Sequence, residues 1–213
     1  MSMLNLAGMT DYTLLKPQTT EKDIVTLCHE AQEHRFATVC VNPIYVQTAA
    51  KLLHGTGISV AAVVGFPLGA TFTEVKVQEV YMVKAHGGKE VDMVINIGWA
   101  KSGNWEAVER EVLQVVEAAQ GCGLLIKIII ETSLLTDDEK KTVAEIVKLS
   151  GADYIKTSTG FAGGGATVQD VRNLKEWVGE NVKVKASGGV RTRELALELV
   201  EAGAERLGTS SIL

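Results

Sequence analysis

Leu124-Leu125-Ile126-Lys127-Ile128-Ile129-Ile130-Glu131 is an apolar run with a lysine inside it and a glutamate at its end. Alternate side chains of a strand face opposite sides of its sheet. Lys127, Ile129 and Glu131 therefore share one face, and Ile126, Ile128 and Ile130 share the other. The all-isoleucine face belongs against helices, so Lys127 points into whatever the sheet encloses. A strand this apolar on both faces is typical of a parallel sheet covered by crossover helices.

Seven more runs read the same way: Met9–Tyr12, Thr38–Val41, Ser59–Val64, Val91–Asn96, Tyr154–Lys156, Val182–Ala186 and Arg206–Gly208. Amphipathic segments alternate with them, at Glu21–Glu33, Ile44–Leu53, Thr73–His86, Trp105–Gln120, Asp137–Ser150, Val168–Val178 and Arg193–Ala202. In Trp105–Gln120, Val108, Val112, Val115, Val116 and Ala119 recur at helical steps. Thr20, Thr136 and Thr167 stand where helix N-caps belong, and Gly57, Gly88, Gly123, Gly151 and Gly203 punctuate the approaches to strands. Eight strand-plus-helix units without a linker predict a single (β/α)8 TIM barrel spanning residues 1–213 as one catalytic domain. The alternative is an open doubly wound sheet, but no glycine-rich dinucleotide turn follows the first strand, and polar residues end most strands. The sequence stops at Ile212-Leu213, which predicts a very short C-terminal end after the eighth strand, either a terminal turn or a trimmed chain.

The net charge of −5 gives no basic face for nucleic acid, although a local cluster of donors would suffice for a small phosphorylated metabolite. No stretch reads as a membrane span or a secretory signal. Cys28, Cys40 and Cys122 read as free thiols of a reducing cytoplasm. The four histidines, His29, His34, His54 and His86, lack ligand spacing, and neither metal nor cofactor is expected.

The parity that turns Lys127 inward also places Asp92, Val94 and Asn96 inside, with Cys40 and Asn42, and with Lys156, Lys185 and Asp11 on their own strands. Three lysines and two aspartates would then share one small interior. Burial and a neighbouring ammonium both lower a lysine's pKa, and a neutral amine attacks carbonyl carbon. A strand lysine is more often a rim residue that snorkels to water. That reading suits Lys183 and stays open for Lys127, and parity alone does not choose among the lysines. Thr157-Ser158-Thr159-Gly160, Ser187-Gly188-Gly189 and Gly208-Thr209-Ser210-Ser211 follow the last three strands, where barrels commonly bind phosphate through backbone N–H groups. Gly163-Gly164-Gly165 reads as a flexible connection without chemistry.

The chain resembles the deoxyribose-phosphate aldolases, which are lysine-dependent aldolases. The resemblance rests on Asp11-Tyr12-Thr13-Leu14-Leu15-Lys16-Pro17, Val39-Cys40-Val41-Asn42-Pro43, Gly65-Phe66-Pro67-Leu68-Gly69, Glu90-Val91-Asp92-Met93-Val94-Ile95-Asn96, Lys156-Thr157-Ser158-Thr159-Gly160-Phe161 and Lys185-Ala186-Ser187-Gly188-Gly189. It implies reversible cleavage of 2-deoxy-D-ribose 5-phosphate to acetaldehyde and D-glyceraldehyde 3-phosphate, in deoxyribose catabolism. It also implies Lys156 as the Schiff-base residue, Lys185 as the neighbour that lowers its pKa, and Asp92 as acid/base through a water. Lys127 and Asp11 would support the proton network. Thr13 and Thr159 would touch substrate, with Cys40 near the aldehyde. Gly160, Gly188, Gly189, Gly208, Ser210 and Ser211 would cradle phosphate. A homodimer is implied as well. Tyr12 stands where the family usually has histidine, beside Asp11, and many relatives continue past Ser210-Ser211. The rival readings are a phosphosugar isomerase with carboxylate acid/base chemistry and a non-catalytic phosphosugar-binding barrel.

Overall fold

A computed structural model describes residues 5–211. Its strands are β1 (Thr10–Leu14), β2 (Thr38–Val41), β3 (Ser59–Val64), β4 (Glu90–Val94), β5 (Leu125–Ile129), β6 (Tyr154–Lys156), β7 (Lys183–Ser187) and β8 (Ala204–Thr209). They are all parallel and pair in sequence order, and Thr10–Tyr12 of β1 pairs with Leu207–Thr209 of β8. That last pairing closes the barrel and excludes the open sheet. After β8 the described chain holds only Ser210 and Ser211, the short end expected; Ile212 and Leu213 lie outside the described residues.

The helices are α1 (Glu21–His34), α2 (Val46–Leu52), α3 (Thr73–Ala85), α4 (Ile97–Lys101), α5 (Trp105–Gly121), α6 (Asp137–Ser150), α7 (Val168–Val178) and α8 (Arg193–Glu201). Thr20 and Thr136 form capping boxes with Asp23 and Glu139, each satisfying two N–H groups that a helix start would leave unpaired. Ile126, Ile128 and Ile130 are buried against the helices, as are Val108, Val112, Val115, Val116 and Ala119 of α5. Each of these isoleucines and valines contributes roughly 2 kcal/mol through burial. No described helix is long and apolar enough to cross a membrane.

Three local expectations change. Pro43 opens a 3-10 turn at Pro43–Tyr45, so the segment read as a helix from Ile44 becomes helical only at Val46. The five-residue α4 is too short to show periodicity; it forms because the Asn96 side chain accepts the Trp99 N–H at 3.2 Å. The amphipathic pattern expected over Thr73–His86 also fails: Lys76 is buried while Phe72, Val75, Tyr81 and Met82 are exposed.

Candidate active site

Asp92 is the hub of the barrel interior. Its Oδ2 accepts from Lys156 Nζ and Lys185 Nζ, each at 2.7 Å, and its Oδ1 accepts from Lys127 Nζ at 2.9 Å. The sheet register makes this meeting possible, because Asp92 is level with Lys127, and Lys156 with Lys185. Lys185 also donates to Asp11, whose other oxygen takes the Arg206 guanidinium at 2.7 Å. Lys127 reaches Glu90 at 2.5 Å, and Arg206 reaches the Thr38 hydroxyl at 2.9 Å. The five charged residues expected inside are thus brought together.

Glu90 and Arg206 complete the network, and the sequence reading missed both. The signal was present: Glu90 shares parity with Asp92, and Arg206 shares it with Gly208. A charge at a strand's first turn, however, ordinarily reads as a solvated rim residue. Lys183 is such a residue. It is exposed, with its ammonium 5.7 Å from the centre of the Tyr154 ring.

The three interior lysines are not electrostatically alike. Burial lowers the pKa of Lys156; Asp92 opposes that effect, and Lys185 adds to it. For Lys127 burial is outweighed by Asp92, Asp11 and Glu90, which raise its pKa well above the ordinary value. Lys185 is likewise raised, by Asp11 and Asp92. Burial works against ionisation of Asp11, yet Lys185, Lys127 and Arg206 bring its pKa down to about 2. A crowd of mutually repelling ammonium groups is therefore too simple a picture. Two of the lysines are held charged by carboxylates, and burial, more than repulsion, lowers the pKa of the third.

Above the network a cavity of about 320 Å³ opens at the C-terminal ends of the strands. Lys156 reaches it, as do Thr13, Thr159, Gly160, Gly188, Gly189, Gly208 and Ser210. Lys185, Asp92, Lys127 and Asp11 lie beneath, with no exposed surface. Cys40 is buried with Leu15, Ala61 and Val63 rather than along the cavity wall, and burial pushes its thiol up to about 11. Ser211 donates its N–H to Thr209 Oγ1 at 2.9 Å and does not line the cavity. The N–H groups of Gly160, Gly188 and Gly189 donate to no acceptor among the described residues. Gly208 has a second use, because a Cβ there would lie 3.2 Å from Lys185 Cε. The glycine gives the lysine stem its passage.

Two further placements depart from the sequence reading. Gly163-Gly164-Gly165 is a fitted contact as well as a connection, since a Cβ on Gly165 would come within 2.3 Å of the Gly188 carbonyl oxygen. Tyr12 lies across the sheet from Asp11, where its hydroxyl donates to Glu30 Oε2 at 2.8 Å. The other missed residue is Glu131, buried in a left-handed backbone conformation with φ of 54°. Its Oε2 accepts both the N–H of Thr159, at 3.0 Å, and the Thr159 hydroxyl. With that proton committed, Thr159 can offer a ligand only an acceptor.

The chain is similar to known proteins over nearly its whole length. A deoxyribose-phosphate aldolase from Desulfitobacterium hafniense is 73% identical over 211 residues, covering 99% of this chain and 97% of that one. The solved structure of the aldolase QR15 overlays with a TM-score of 0.93 at 38% identity, over 98% of this chain and 92% of QR15. A tetrameric deoxyribose phosphate aldolase from Aeropyrum pernix overlays with a TM-score of 0.90 at 36% identity, over 96% and 86% of the two chains. The profile of the DeoC/LacD family aldolases matches residues 8–210, so this chain belongs to the DeoC/LacD aldolase family.

Proposed function

We propose that the chain is a class I, Schiff-base aldolase that reversibly cleaves 2-deoxy-D-ribose 5-phosphate to D-glyceraldehyde 3-phosphate and acetaldehyde. The observation that carries this reading is Lys156, the interior lysine of lowered pKa that opens onto the cavity. Its neutral amine attacks the C1 aldehyde of the open-chain sugar. Loss of water leaves an iminium, which is an electron sink for the C2–C3 bond. The C3 hydroxyl then gives up its proton through a water to the Asp92–Lys185 pair, the C2–C3 bond breaks, and glyceraldehyde 3-phosphate departs. The remaining enamine is protonated at C2 and hydrolysed to acetaldehyde, which frees Lys156.

Lys127 and Asp11 keep the Asp92–Lys185 pair charged and oriented. Thr13 and Thr159 contact the sugar, Thr159 as an acceptor of a substrate hydroxyl. Gly160, Gly188 and Gly189 offer free N–H groups to the phosphate, and Gly208 and Ser210 complete the cradle, without Ser211. Phosphate binding then positions the reacting bond over the amine. Cys40 sits near the aldehyde end with no required role.

The natural setting of this reading is the cytoplasm, and the assembly is a homodimer. The exposed apolar side chains Phe72, Val75, Tyr81 and Met82 on and before α3 support an assembly contact. Light scattering of the purified protein tests the dimer. The chemistry is tested by borohydride reduction in the presence of acetaldehyde, followed by peptide mapping. An ethylated Lys156 and loss of activity are expected. Survival of activity, as for an isomerase using carboxylates, or an adduct on another lysine, would overturn the assignment.

A further inference from the structure

Seven ionisable side chains surround the barrel axis: Asp11 of β1, Glu90 and Asp92 of β4, Lys127 of β5, Lys156 of β6, Lys185 of β7 and Arg206 of β8. Among the other groups near Lys156, β2 supplies the Cys40 thiol, which stays neutral, β3 supplies Ala61 and Val63, and β6 adds the Tyr154 phenol at the floor. The turn after β5 adds the buried Glu131 carboxylate, which is bonded by Thr159 and forms no ion pair with the seven. If all seven were charged, four cations would face three anions. An unbalanced charge is costly in a dry interior, so the cluster is neutral only when one cation gives up a proton.

Arg206 cannot be that cation, because a guanidinium does not deprotonate in a protein. Lys127 is held by Glu90 at 2.5 Å and Asp92 at 2.9 Å. Lys185 is held by Asp11 and by Asp92 at 2.7 Å. Lys156 has only Asp92, which it shares with both of the others. The proton leaves from there.

We infer that Arg206 and Glu90, positioning residues on the barrel floor beyond reach of substrate, set the protonation state of Lys156 by charge balance. Arg206 supplies the surplus positive charge that makes a proton-free Lys156 the balanced state, and Glu90 limits that surplus. The influence runs from Arg206 through Asp11, Lys185 and Asp92, and from Glu90 through Lys127 and Asp92. Removing Arg206 leaves three cations against three anions, and Lys156 then keeps its proton to higher pH. Removing Glu90 leaves four against two, and Lys156 loses its proton at lower pH. At an effective dielectric of about 20, either change shifts Lys156 by on the order of one pH unit.

This inference rests on the assignment of Lys156 as the Schiff-base residue, and one experiment separates the two. The acidic limb of the pH profile is measured for borohydride trapping with acetaldehyde and for kcat/KM on deoxyribose 5-phosphate. The proteins compared are the native chain, Arg206→Gln, Arg206→Lys and Glu90→Gln, with circular dichroism as the check on folding. The limb of Arg206→Gln is expected to rise by about one pH unit, with activity near pH 7 down about tenfold and regained in alkali. Arg206→Lys should restore the native limb, and Glu90→Gln should move it down. Shifts in the same direction for both neutral variants, as general loosening would give, or no shift, would overturn the inference. If Arg206→Gln does not fold, the downward shift of Glu90→Gln decides alone. Failure of the native chain to trap at Lys156 removes the aldolase reading and this inference with it, whereas trapping with unmoved limbs removes the inference only.

Discussion

Lys76 and Lys156 are both buried, and burial lowers the pKa of both. Lys76 reaches from α3 toward the outer side of the sheet, where its ammonium meets the Val94 carbonyl and Glu111, each at 2.8 Å. The second Glu111 oxygen takes the Asn96 N–H at 2.8 Å. One cation faces one anion, neither has any exposed side-chain surface, and Gly65 leaves room for the lysine stem. Lys156 shares a single aspartate with two other lysines and opens onto a cavity. Burial alone therefore does not make a nucleophile. The lysine proposed as the nucleophile differs by a deficit of counter-charge together with a route for the substrate, and Lys76 has neither.

The comparison breaks most directly at the two lysines themselves. Lys156→Leu should lower kcat by more than about 10³-fold, because the covalent route is lost. Its melting temperature should not fall, since Asp92 keeps Lys127 and Lys185. Lys76→Met should do the reverse. Stranding the Glu111 carboxylate should cost roughly 3–5 kcal/mol in denaturant unfolding while kcat of the folded protein stays near native. A second change, Glu111→Leu, in the Lys76→Met background should recover most of that loss. If Lys76→Met lost activity without losing stability, the division into a structural and a chemical lysine would be wrong.

The same contrast explains what was readable in the chain. Parity within Leu124–Glu131 turned Lys127 inward, and it did the same for Asp92, Lys156 and Lys185, because a strand's alternation is a local property. Choosing Lys156 among the lysines took the family resemblance, since the choice depends on how many carboxylates each amine meets across neighbouring strands. Glu90 and Arg206 had the inward parity too, but a charge near a strand's start ordinarily reads as a solvated rim residue, and their ion pairs reach across neighbouring strands. Lys76 was hidden because a lysine on a surface helix ordinarily faces water, and its partner Glu111 lies 35 residues away on another helix. Parity also put Glu131 on the Lys127 face, but its left-handed backbone and its grip on Thr159 were not readable, because they come from the turn that follows β5.

Tyr12 carries the smallest effect and the sharpest check on the separation of the two faces. In sequence it adjoins Asp11 and replaces the histidine usual in the family. In the fold its ring leaves the barrel, lies 5.0 Å from that of Phe36 between centroids, and bonds Glu30. Burial and Glu30 together raise its phenol to about 12, so the hydroxyl stays neutral and keeps donating across the working range of the protein. Tyr12→Phe deletes one partly buried hydrogen bond and should cost about 1 kcal/mol of stability. Because no charge changes and nothing inside the barrel is touched, kcat/KM and its acidic limb should stay where they are. A shifted limb in Tyr12→Phe would mean that packing outside the sheet reaches the charge balance within it, and the two faces could no longer be argued apart.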